Sequence, residues 1–169
     1  MAETAQQYIA RILKNSDGLD GLTVLSETPA RLKALIDATP RERWLTRPEP
    51  GRWSAAEVLA HLADAEIVTG WRVRSVLATD GVTLQGFDQD VWADAFKYSE
   101  VDPAESLALF TAARHSLLSL LRRVDASRHA HHGMHSERGR ETIGHLVQLY
   151  AGHDINHVRQ IEGMLEARK

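Results

Sequence analysis

Apolar residues return every three to four positions along nearly the whole chain, and no stretch alternates as a half-buried strand must. That period restricts the chain to packed helices, and the breaks between apolar runs set where each begins and ends. A short opening helix is predicted over about Ala2 to Leu13, closed by the turn signals Asn15-Ser-Asp-Gly18 and Asp20-Gly21. A first main helix follows from about Thr23 to Ala38 on Leu25, Leu32, Leu35 and Ile36. Pro29 either kinks it or marks a second start after Thr28. Pro40, Pro48 and Pro50 make Thr39 to Arg52 a stiff connection. Ser54-Ala-Ala-Glu57 is a capping box, so the second main helix starts there and reaches about Thr79, where Asp80-Gly81 stops it. Asp102-Pro103-Ala-Glu105 starts the third, which buries Leu107, Phe110, Leu117, Leu121 and Val124. Ser127 to Arg140 reads as a polar, histidine-rich loop, and Thr142 caps a fourth helix that continues to about Ala167.

Four long amphipathic helices define an all-α four-helix bundle, one domain over residues 1–169 with its core at about 22–166 and a short extra N-terminal helix. Over twenty residues, Asp80 to Val101, separate helices two and three. That is more than an antiparallel hairpin needs, so the connection is a long crossover holding a short helix around Asp88 to Ala95.

At 169 residues, 43% apolar and 25% charged, the chain suits a soluble globular domain with a sizeable core. The net charge of −3 supplies no field to attract nucleic acid or an anionic membrane. No apolar run approaches the ~20 residues that span a bilayer. Met1-Ala-Glu-Thr-Ala5 lacks the basic and apolar regions of a signal peptide. The absence of cysteine excludes disulfides, thiolate ligands and a cysteine nucleophile. These features fit a cytoplasmic protein that acts on a small molecule, not on nucleic acid or a membrane.

Histidine is the unusual component: nine are present, two of them in His153-Asp-Ile-Asn-His157. At 100° per residue, Leu146, Tyr150, His153, His157 and Met164 fall within roughly 60° of one another. The pair therefore occupies the apolar seam where a bundle normally buries leucine. Two imidazoles four residues apart on a helix present their nitrogens to one point, as a single metal ion requires. Neutral imidazoles buried without partners cost energy, and a divalent metal with a third ligand from another helix satisfies them economically. His61 supplies that ligand. It lies roughly 50° from the centre of the arc set by Val58, Leu62, Ala65, Thr69 and Val76. Three histidines leave other coordination positions open, the arrangement of a catalytic site. Asp64, one turn on, orients an imidazole N–H, serves as a fourth ligand or acts as a base. There is no HExxH and no Glu-x-x-His, which argues against a zinc peptidase and a di-iron carboxylate bundle.

Three stretches carry a wider resemblance: Trp53-Ser-Ala-Ala-Glu57 leading into His61-Leu-Ala-Asp-Ala-Glu66, then Phe87-Asp-Gln-Asp90-Val-Trp92, then Gly152-His-Asp-Ile-Asn-His157-Val-Arg-Gln-Ile161. Across about Leu22 to Leu165 the chain resembles the DinB/YfiT-like family of metalloenzymes. The resemblance implies a four-helix bundle with a long crossover, and a zinc or nickel ion held by one histidine of the second helix and a His-x-x-x-His pair of the last. Those roles fall on His61, His153 and His157. It also implies a homodimer. Some relatives use a low-molecular-weight thiol as co-substrate in S-transfer to small electrophiles.

Arg72 and Arg114 fall inside the buried arcs of helices two and three, and a buried guanidinium must be paired. They either bind an anionic substrate beside the metal or form structural ion pairs with Asp64, Glu57 or Asp88, the more economical reading. Asp88, Asp90 and Trp92 on the crossover either form a substrate-contacting lid or pack the crossover down. The His129, His131, His132 and His135 cluster reads as solvated loop, and His145 as a helix-terminus residue. The leading expectation is a metal-dependent thiol S-transferase, with metal-dependent hydrolysis second and a non-catalytic dimeric metal-binding module third.

Overall fold

The computed structural model describes residues 3–166, so the expected start at Ala2 and end at Ala167 lie outside the described residues. In chain order the α-helices and strands are α1 (Ala5–Asn15), α2 (Gly21–Ala38), α3 (Arg41–Leu45), α4 (Ala55–Ala78), β1 (Val82–Leu84), α5 (Gln89–Ala95), α6 (Pro103–Arg123), β2 (His132–His135), β3 (Gly139–Thr142) and α7 (Ile143–Glu166), with short 3-10 turns at Tyr98–Glu100 and Ala126–Ala130. The bundle consists of α2, α4, α6 and α7, and none of its helices is long and apolar enough to cross a membrane.

The helix starts follow their capping chemistry. Ser54 and Glu57 form both bonds of a capping box on α4, and Thr4 with Gln7 does the same for α1. Asp88 caps α5 and Asp102 caps α6, while the Thr142 hydroxyl accepts from the His145 amide at the start of α7. Pro29 neither restarts nor ends α2, which runs through it. Proline has no N–H for the carbonyl four residues back, that of Leu25. Arg114 Nη1 donates to that carbonyl at 2.8 Å, so a side chain from α6 replaces the missing helical bond.

Two connecting segments carry more structure than their composition indicates. The Thr39 to Arg52 connection is not merely stiff: α3 forms within it because Trp44 buries its ring, 1% exposed, in the core. The Ser127 to Arg140 segment is not a plain loop. It holds β2 and the start of β3, which pair antiparallel, and β2 pairs in parallel with β1 from the crossover. A Cβ on Gly133 would fall 2.6 Å from Leu84 Cδ1, so glycine lets the strand lie flat against the crossover.

The core divides into two apolar clusters. One gathers Leu25, Val73, Val76, Leu117 and Leu146, and the other Leu32, Trp44, Leu59, Phe110 and Ile161. Each bundle helix contributes to both, and between those contributions each carries buried polar groups: Thr28 on α2, His61, Glu66 and Thr69 on α4, Arg114 on α6, and His153, Asp154 and His157 on α7. A polar layer therefore crosses the bundle, and the site lies in it.

Candidate metal centre

The Ser54–Glu57 box fixes the first turn of α4, and His61 follows on the face turned to α7. His153 and His157 meet it from one turn of α7, their ring centroids 5.3 and 5.0 Å from that of His61 and 4.4 Å from each other. One ring nitrogen from each of the three lies within 4.8 Å of the others. His61 and His153 are 2% and 7% exposed, and their Nε2 atoms stand 3.2 Å apart. Gln160 Oε1 accepts from His157 Nδ1 at 2.9 Å, which leaves Nε2 of that ring free. Trp53 packs against His61 at 5.4 Å and Tyr150 against His153 at 6.1 Å.

Burial holds all three rings neutral. It pushes His61 down to about 3, with the His157 ring adding to the effect. His153 is lowered well below the usual imidazole range by burial and then by its two histidine neighbours. His157 is lowered by burial, against which the Gln160 bond works. Neutral imidazole is the ligand form of histidine.

The donor set fits a divalent ion on two observations. Nδ1 of His61 is buried with no hydrogen-bond partner, so the ring is held by packing while Nε2 points at His153. Ligand nitrogens at about 2.0–2.1 Å on a tetrahedral zinc stand about 3.3 Å apart, close to the His61–His153 separation.

A cavity of about 310 Å³ opens beside the group, with His61 and His153 in its wall. Arg72 and Tyr150 also line it, as do Phe87 and Gln89 from the crossover and Glu137 and Arg138 from the β2–β3 turn. Tyr8 and Ile12 of α1 complete the wall. The opening helix and the hairpin thus belong to the site. The sequence predicts the opening helix but not its place at the cavity, and the hairpin only through the polar, histidine-bearing character of residues 127–140.

The remaining sequence candidates are spread more widely. Asp64 accepts from the Tyr98 hydroxyl at 2.6 Å and lines a separate pocket with Phe96, because three residues along α4 turn it about 60° from His61. It is not in the histidine group. Arg114 lies away from the cavity, paired at 2.7 Å with both Asp154 and Glu66. Asp64, Glu57 and Asp88 were the wrong partners to expect: Glu57 pairs with Arg47 at 2.5 Å, and Asp88 caps α5. Burial raises the Glu66 carboxyl, while the two carboxylates raise Arg114 against its own burial. Trp92 stacks between Phe87 and Phe96, with ring centroids at 4.6 and 5.3 Å, and does not line the cavity.

The loop histidines separate as well. His131 Nδ1 meets the Val76 carbonyl at 3.1 Å, His132 Nδ1 lies 2.8 Å from Asp80, and His129 is exposed. His135 departs from the solvated reading: it is 4% exposed, with Nε2 3.2 Å from Arg72.

A four-helix bundle with three converging imidazoles in a buried polar layer defines a helical protein with a candidate mononuclear metal site. The chain belongs to the DinB superfamily, whose family profile matches residues 25–161. It is 26% identical over 85% of its length to a protein of Oceanobacillus iheyensis named as a candidate metal-dependent hydrolase, covering 83% of that protein. It is 25% identical to YfiT of Bacillus subtilis, which carries the same description, over 83% of this chain and 79% of that one. In the solved structure of YfiT, described as a four-helix bundle of unusual topology, the matched region covers 85% of this chain and 83% of that one. The TM-score is 0.78 at 24% identity, a likeness of fold.

Proposed function

We propose that the chain is a metal-dependent hydrolase of small molecules, with His61, His153 and His157 holding one divalent ion, zinc or nickel, at the wall of the 310 Å³ cavity. The convergence of three buried, neutral imidazoles from two helices carries this reading. A divalent ion held there would supply Lewis acidity to the reacting group. The chain's own groups do the rest. Trp53 and Tyr150 pack against the imidazoles and limit water around them. Gln160 fixes the His157 tautomer through Nδ1. Glu137 lines the cavity, which Asp64 does not, and would hold a proton at its carboxylate oxygen. Relatives named for hydrolysis support this reaction over thiol transfer.

The test begins with metal analysis of tag-free protein beside a His153→Ala variant. Turnover of a panel of small esters and amides follows, with and without an added thiol. The expected result is about one ion per chain in the native protein, less than a tenth of that in the variant, and hydrolysis lost on chelation. Equal metal in both proteins overturns the centre. Product formation that requires the thiol and transfers it to the substrate replaces hydrolysis with S-transfer.

A further inference from the structure

Arg72 is 1% exposed, yet it pairs with no carboxylate among the described residues. Nη1 donates to the Tyr150 hydroxyl at 2.7 Å and Nη2 to the Gln85 carbonyl at 2.5 Å, both neutral acceptors. Nε is buried with no partner at all. The other arginines of this region are compensated: Arg114 by Asp154 and Glu66, and Arg138 by Glu141 at 2.6 Å. A guanidinium taken out of water without a counter-charge is strongly unfavourable, so this one is built for a charge that arrives from outside the fold.

The neighbouring imidazole supports the same conclusion. The Glu137 amide N–H reaches His135 Nδ1 and Arg72 Nη2 reaches Nε2 of the same ring, each at 3.2 Å. A neutral imidazole accepts at one nitrogen only, so one of these two donors is left in want of an acceptor. Arg72 also lines the cavity that His61 and His153 line, and the Tyr150 ring joins the two regions by bonding to Arg72 and packing 6.1 Å from His153. Eleven residues of α4 separate Arg72 from His61, about 16 Å of helix axis, and helical side chains lean toward the N-terminus, here toward His61.

The geometry points to an anion subsite at Arg72: the cavity takes a small organic carboxylate whose charged end pairs with this guanidinium while its other end faces the histidine group. This deepens the proposed function and rests on it for the role of the second end, but the anion site itself requires no metal. A planar carboxylate matches the Nε–Nη edge of a guanidinium, the edge that holds the unpartnered donor here.

Calorimetric titration at constant ionic strength tests the assignment, with succinate, its neutral diamide and inorganic phosphate as probes. Native protein is titrated in chelator and after zinc loading, beside Arg72→Gln, Arg72→Lys and the His153→Ala variant. Saturable succinate binding is expected in chelated native protein and in His153→Ala, with no detectable binding of the diamide. Binding is expected to weaken at least tenfold in Arg72→Gln and less in Arg72→Lys. If Arg72→Gln does not fold, the arginine side-chain Nε–H resonances of native protein decide: succinate, and not its diamide, shifts a slowly exchanging one. Diamide binding equal to succinate, undiminished binding in Arg72→Gln, or phosphate bound more tightly than succinate overturns the proposal. Succinate binding in a protein that fails to retain metal overturns only the metal-dependent reading.

Discussion

A Cβ on Gly152 would stand 2.1 Å from the main-chain carbonyl oxygen of Ile12. The helix that carries His153 is thus pressed directly onto α1, and α1 supplies Tyr8 and Ile12 to the cavity wall. Alanine would favour α7 by about 1 kcal/mol. A contact with main chain, however, cannot be relieved by changing a rotamer. Gly152→Ala is expected to displace α1, with a net loss of about 2 kcal/mol. Hydrogen exchange across residues 5–15 should accelerate while α4 and α6 keep their protection. Unchanged exchange in α1 would contradict the contact.

Arg114 ties three helices together through the Leu25 carbonyl, Asp154 and Glu66. Arg114→Leu leaves two buried carboxylates without a counter-charge and reopens the carbonyl that Pro29 cannot satisfy. The expected loss is about 3–5 kcal/mol, a fall in Tm of about 10 °C for a chain of this size. Glu66→Gln should cost much less, because one carboxylate still faces the guanidinium. Equal effects of the two substitutions in thermal unfolding would refute this division of roles.

Acid should weaken the metal-free fold through the buried imidazoles. His61 titrates at about 3 in the folded chain and His153 is also strongly lowered, whereas unfolded histidine titrates at about 6.5. Between those values the unfolded chain binds protons that the folded chain refuses, so stability falls as pH drops below about 6.5. Each such histidine contributes up to about 1.4 kcal/mol per pH unit. Urea unfolding in chelator at pH 7.5, 6.5 and 5.5 should show the decline. His61→Leu should flatten it, and an identical slope in that variant would discount His61.

Trp53 lies 5.4 Å from His61, while Trp71 is half exposed on α4, Trp44 is buried in the cluster of Leu32 and Phe110, and Trp92 packs on Phe87 in the crossover. An open-shell ion such as nickel should quench tryptophan emission chiefly through Trp53. In Trp53→Phe, nickel addition should quench a clearly smaller fraction of the emission at the same metal content. Quenching that persists undiminished would place the ion elsewhere.

Much of this architecture is legible along the chain. The cap residues Ser54, Asp88, Asp102 and Thr142 act locally, through bonds to residues two or three positions on, so the starts of α4, α5, α6 and α7 need no tertiary information. The His153–His157 spacing and the position of His61 on its arc follow from helical periodicity alone. The strands do not. Each is three or four residues long, too short to show a period of two, and β1 meets its partner β2 from fifty residues away.

What the residues determine by themselves is which groups share a helical face, because 3.6 residues per turn is a local property. Which group on the opposite helix answers them is set by how the helices are offset and rotated against one another. That rotation gave Arg114 two carboxylates, left Arg72 with none, and brought α1 across Gly152 to wall the cavity. Periodicity fixes a direction from one helix axis; a contact requires two axes, and only the packed structure supplies the second.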